Sequence, residues 1–199
     1  MCLMEFLSFT TRKYPICVTF GASKSTMFLN QLKDFSTKKI VKNQLPDSCT
    51  PPSDSKVETV GILFDETYVV RHDEIIEELV KNGIKRENIS ILVYRAPLKK
   101  NETVDYPFFT PRNFSWTATI KKQDVQDFLA RHYDLLISYY DVEKAPLLLI
   151  SHLTKAGFKV GFSSVDKRVH HFMIDTVSEN YKLFTDELFK YLKILNKIA

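Results

Sequence analysis

The sequence predicts an α/β fold: one open, mostly parallel, Rossmann-like sheet of five or six strands with helices on both faces. Three observations carry this. Residues 57–64 (VETVGILF), 88–94 (NISILVY) and 134–140 (DLLISYY) are short runs rich in β-branched, aromatic and leucine side chains, as buried strands require. Amphipathic segments of helical period separate them, so strands and helices alternate. Hydrophobic residues make up 44% of the chain and charged residues 26%, which supplies a core of ordinary size.

The elements follow in order. Residues 57–64 form the first strand, ended by Asp65 and Glu66. The spacing of Ile75, Ile76, Leu79 and Val80 predicts a helix over 73–82, with Gly83 placed to stop it. Residues 88–94 are the second strand. Residues 95–113 contain Pro97, Pro107 and Pro111 and read as a long loop, a feature often tied to function. Residues 114–120 (FSWTATI) read as the third strand, with the single Trp, Trp116, as core packing or a stacking group at a pocket rim. A helix over 122–133 shares Val125, Phe128, Leu129 and His132 along one face. After the strand at 134–140 comes a helix over 144–156, opened by Pro146 and closed by Gly157. Residues 158–162 and 170–177 are the last strands. A closing helix over 179–196 offers Phe184, Leu188, Tyr191, Leu192 and Leu195 to the sheet. Crossovers between parallel strands should be right-handed.

Charge divides the chain at about residue 56. Residues 1–56 carry eight Lys or Arg and four Asp or Glu, whereas residues 57–199 carry 20 of each sign. The whole excess of +4 therefore belongs to an N-terminal arm. Within it, Phe28, Leu32 and Phe35 recur at helical spacing, flanked by Lys33, Lys38, Lys39 and Lys42. Two readings stand side by side: a basic amphipathic helix that docks on RNA, a ribosome or an anionic membrane surface, or a solvated helix folded back on its own domain. Residues 45–56 (LPDSCTPPSDSK) read as a linker. Met27 would serve as an alternative start for translation. The domain proper is expected over residues 57–199.

Cys2, Cys17 and Cys49 form no metal-ligand spacing and no even disulfide set, which favours a reducing, cytoplasmic setting. No stretch approaches the roughly 18 apolar residues of a membrane span.

Ligands of open parallel sheets bind outside the carboxyl ends of the strands. Here those ends carry Asp65, Glu66, Arg95, Asp141, Glu143, Ser163 and Ser164, which are expected to rim any pocket. Asp65 and Asp141 have the chemistry for acid–base work or for helix capping, and capping is the commoner role. A dinucleotide fingerprint is missing: Gly61 lies inside the first strand, and the turn Asp65-Glu66-Thr67-Tyr68 would repel a phosphate. The segment 21–26 (GASKST) has the Lys-Ser pair of a phosphate loop but only one glycine. No serine occupies a G-x-S-x-G turn. His170 and His171 should point to opposite faces of a strand, while His132 and His152 fall in helices, so no metal site is expected. No cofactor is expected either.

The block 133–137 (YDLLI), a helix, and then 155–162 (KAGFKVGF) resembles an uncharacterised Bacteroidota family, domain of unknown function 6913. The likeness runs over about residues 57–195 and takes in 172–175 (FMID) and the terminal helix with Tyr191 and Leu192. It implies this fold and a cytosolic bacterial setting, with no established activity. The same block is more distantly similar to the N-terminal half of heptosyltransferase-type glycosyltransferases. Those enzymes need a second, donor-nucleotide domain, for which 199 residues leave no room, so transferase activity is not expected.

The leading expectation is a non-catalytic binding or accessory protein whose basic arm meets an anionic macromolecule. The alternative is a small-molecule site, or a weak enzyme, at the strand ends, taking a cationic or polyhydroxy ligand.

Overall fold

The computed structural model describes residues 38–43, 45, 51–67, 72–95, 105–115 and 119–198. Strands β1 (Val60–Asp65), β2 (Ile89–Tyr94), β3 (Phe108–Phe109), β4 (His132–Tyr139), β5 (Lys155–Phe162) and β6 (Phe172–Ile174) form one sheet. Their order is β3-β2-β1-β4-β5-β6, and every neighbouring pair is parallel. The helices are α1 (residues 38–43), α2 (His72–Lys81), α3 (Gln123–Ala130), α4 (Ala145–Leu153) and α5 (Tyr181–Ile194).

The chain winds outward from β1 to β3 and then returns past β1 to β4. With right-handed crossovers this reversal places α2 on one face and α3 and α4 on the other. α5 joins the α2 face, where Phe184 packs on Tyr139 and Phe162 at centroid distances of 5.1 and 4.7 Å. On the opposite face Phe128 of α3 packs on Tyr133, and Ser151 of α4 bonds Ser138 and Tyr140. β4 lies mid-sheet and is covered on both faces, which is why Leu135, Leu136 and Ile137 are apolar without alternation.

Local chemistry sets the ends of the helices. α2 carries Asp73 and Glu74 in its first turn and Lys81 in its last, matching the helix dipole. Gly83, at φ +94°, stops it: the Gly83 amide donates to Val80 O and the Ile84 amide to Leu79 O, the paired bonds of a Schellman cap. α4 is buried along nearly its whole length, with Pro146 in the first turn.

Several expected elements are corrected. The long loop at 95–113 supplies the edge strand, β3, because Phe109 is fully buried against Tyr94 at 5.1 Å. Of the expected strand at 114–120, the described residues lie outside the sheet: Phe114 and Ile120 form an antiparallel bridge with each other, and the Ser115 amide donates to Thr119 O. Trp116 lies outside the described residues. His132 is not on a face of α3, which ends at Ala130; it opens β4 and is exposed. α4 ends at Leu153, and Gly157 sits inside β5, because the backbone at 155–156 pairs with His132 and Tyr133 of β4. Val80 and Leu195 are exposed, off the apolar faces of their helices.

The segment before β1 packs on the domain. Val41 and Leu45 are buried in the common core. Residues 51–56 are exposed yet tethered: the Ser53 amide donates to Gly157 O, Val57 N to Lys197 O, and Lys197 Nζ to Ser53 O.

Candidate functional site

The winding reverses between β1 and β4, and the carboxyl ends of these strands open the crevice where ligands of such sheets sit. Asp65, the last residue of β1, is held there from three sides. Its Oδ1 accepts from the amide and hydroxyl of Thr67, at 2.9 and 2.5 Å. Its Oδ2 accepts from Lys144 Nζ at 2.5 Å. Lys144 precedes α4, also donates to the Thr67 hydroxyl, and stands 5.0 Å from the Tyr94 ring centre. The acid of the turn is thus neutralised by a cation from across the reversal.

On the α2 face of the same rim, Glu66 joins two elements. Its Oε2 lies 3.2 Å from Arg95 Nε and its Oε1 3.4 Å from His72 Nε2. His72 opens α2 and is buried between Phe64 and Tyr106, at 4.4 and 5.4 Å. Burial, with a smaller push from Arg95, lowers its pKa against the pull of Asp73 and Glu74, so the ring is neutral at pH 7. Its Nε2 makes no hydrogen bond among the described residues. The Tyr106 hydroxyl donates to Asp73 Oδ1 at 3.0 Å. Sequence reasoning named Glu66 and Arg95 but missed His72, which sits in no motif; its place at the first turn of the helix following an acidic turn was the available signal.

The remaining rim residues have structural partners. Asp141 does not cap α4: its carboxylate accepts the Ser178 amide at 2.9 Å and its carbonyl accepts the Ser164 hydroxyl at 2.7 Å, tying β4 to the approach to α5. Ser163 donates to Asp175 at 2.7 Å. Glu143 Oε1 lies 2.7 Å from both Lys38 and Lys42 of α1. Burial works to raise the Glu143 pKa, but these two ammonium groups outweigh it and hold the carboxylate below its usual range. The structure therefore joins Glu66 with Arg95 and Asp141 with Ser164, and places Asp65, Glu143 and Ser163 in separate contacts.

Of the arm's lysines, Lys38 and Lys42 turn toward the domain, Lys39 is exposed, and Lys33 lies outside the described residues. Beside them, a single 3-10 turn carries Lys167 and Arg168. Arg168 donates to Lys42 O at 3.0 Å and grips Asp166 through Nε and Nη2, at 2.9 and 2.8 Å. The Arg168 guanidinium holds the Asp166 pKa at about 2. The result is a ridge of five cations (Lys38, Lys39, Lys42, Lys167, Arg168) against two carboxylates (Glu143, Asp166), net +3.

His170 and His171 precede β6 and diverge. His171 stacks on Phe158 at 5.7 Å and accepts the Lys159 amide through Nδ1 at 2.8 Å. His170 is buried against Gly161, with neither nitrogen hydrogen-bonded among the described residues. Among those residues no three His, Cys, Asp or Glu side chains are placed to hold a metal ion, and no helix is long and apolar enough to cross a membrane.

Comparison with protein families matches residues 33–195 to DUF6913, a family of unknown function. The chain belongs to this family. The DUF6913 match begins before α1 and ends within the turn that follows α5, so the basic segment at 38–43 and its contacts with Glu143 and Asp166 fall inside it. Comparison with curated proteins and with solved structures finds no match to this DUF6913 member.

Proposed function

We propose that this DUF6913 member is a cytosolic, non-catalytic binding or accessory protein that docks on RNA through the ridge formed by α1 and the Lys167–Arg168 turn. The observation that carries the reading is the convergence of two basic segments, far apart in sequence, on one surface of a chain whose residues 57–199 are neutral overall. Glu143 and Asp166 hold three of the five cations in fixed positions, and Lys39 and Lys167 face solvent. Pre-positioned cations of this kind read the spacing of backbone phosphates rather than base edges.

The test is titration of the full chain with fluorescent single-stranded RNA of mixed sequence at rising salt. About three neutralised phosphates give a slope of roughly −2 in log affinity against log salt. Lys39→Glu combined with Lys167→Glu, both at exposed positions, should abolish binding without altering the fold. No binding at low salt would defeat the proposal, and binding to phosphatidylserine vesicles in place of RNA would move it to a membrane surface.

The second reading, a small-molecule site at the strand ends, is favoured by the unbonded His72 Nε2 beside Glu66 and Arg95. A cationic or polyhydroxy ligand would pair with Glu66, over the buried His72 ring. Thermal-shift screening of amines and polyols against the native chain and Glu66→Gln tests it; stabilisation lost in the variant supports it.

A further inference from the structure

We propose that the lower half of the β2 edge is a docking site for an extended peptide, which adds as a short strand beside residues 89–91. β3 pairs with β2 only at Val93 and Tyr94. The Val93 amide donates to Pro107 O and the Arg95 amide to Phe109 O, so odd-numbered residues of β2 direct their backbone groups toward that edge. The next rung would need an amide hydrogen at position 107 to meet Ile91 O, and proline has none. The ladder therefore stops, and the Ile91 amide and carbonyl face outward with no partner among the described residues. The Ile89 amide is already bonded to Arg86 O, which leaves its carbonyl as a second acceptor.

A groove of about 380 Å³ runs along this edge. Its two sides differ. On the α2 face the added strand would meet the half-buried Ile89 and Ile91, which lie over the buried Ile76, and Arg86 and Tyr106 also line the groove. On the α3 face it would meet the exposed Asp127, while Asp124 is already held by Lys122 Nζ at 2.8 Å and Arg131 at the far end donates to Ser90 at 2.8 Å. Side chains of a strand alternate between faces, so the complementary segment reads apolar–basic–apolar. Strand addition of this kind takes its affinity from main-chain bonds and its specificity from alternate pockets. The free stretch of three residues spans roughly 10 Å, and β3 closes its upper end, so the occupant is short.

The probe is a capped peptide with Val-Lys-Val at its centre, titrated into the isotopically labelled full chain beside its Val-Glu-Val counterpart. The Ser90 and Ile91 amide signals should shift saturably with the lysine peptide, and the glutamate peptide should bind about tenfold more weakly. Ile91→Pro removes the outward amide while the β1 pairing of Ser90 and Leu92 stays, and it should lose the lysine peptide. Asp127→Lys, at an exposed position, should reverse the preference between the two peptides. Absence of any shift at Ile91, or unchanged binding by both variants, overturns the proposal.

Discussion

His170 lies with its imidazole directly on the backbone of Gly161: a β-carbon built at Gly161 would stand 2.4 Å from His170 Cε1 and 2.5 Å from Nε2. No side chain fits between them. Glycine at this point of β5 is therefore a packing requirement of the histidine, imposed from across the sheet edge.

Gly161→Ala is expected to destabilise the protein by about 1–3 kcal/mol, the usual cost of overpacking a filled core. Urea denaturation measures it. Pairing it with His170→Ala should recover part of the loss, because the two changes act on one contact. Additive losses in the double variant would show that the ring and the glycine do not touch.

Burial first, with Lys159 and His171 adding to it, holds the His170 pKa down at about 3. The unfolded chain takes up this proton near 6.5, so between these values it binds more protons than the folded chain. Stability is therefore fully present above pH 6.5 and falls as pH drops toward 3, by about 1.4 kcal/mol per pH unit for one proton. His72 and His152, both lowered mainly by burial, act in the same direction. Denaturation between pH 7 and 5 should show a shallower slope in His170→Gln than in the native chain. An unchanged slope would mean that His170 already titrates freely when folded.

Asp134 anchors the entry to β1. Its Oδ2 accepts from the Glu58 and Thr59 amides at 3.1 and 2.8 Å and from the Thr59 hydroxyl at 2.8 Å. The Asp134 and Leu135 amides both donate to Thr59 O, a bulge that aligns the two strands. Asp134→Ala leaves these donors unmet, with an expected loss of about 1–3 kcal/mol by urea denaturation. A loss within error of zero would assign the alignment to backbone pairing alone.

Lys159 is buried, and its ammonium donates to Ser151 O and His152 O at 2.8 and 3.0 Å, closing the carboxyl end of α4. Lys159→Met removes two charge-assisted bonds from orphan carbonyls and should cost about 1.5–3 kcal/mol. It should also raise the His170 pKa by removing a neighbouring cation, which an NMR titration of the imidazole would detect. A fall in that pKa would contradict the placement of Lys159.

Local pattern alone determined the parallel α/β class and the existence of β1, α2, β2, β4 and α5. Period-two and period-3.6 spacing record which side of each segment meets the core, and the Gly83 cap is written in adjacent residues. Tertiary structure alone decided what needs partners distant in sequence. Phe108 and Phe109 became the edge strand because Phe109 finds burial against Tyr94. Glu66, His72 and Arg95 converge only once β1 and β2 lie side by side. The lysines of α1 acquire their carboxylates from Glu143 and Asp166, more than a hundred positions along the chain. A strand's propensity is a property of its own residues. Its place in a sheet, and the charge that faces each side chain, belong to the topology.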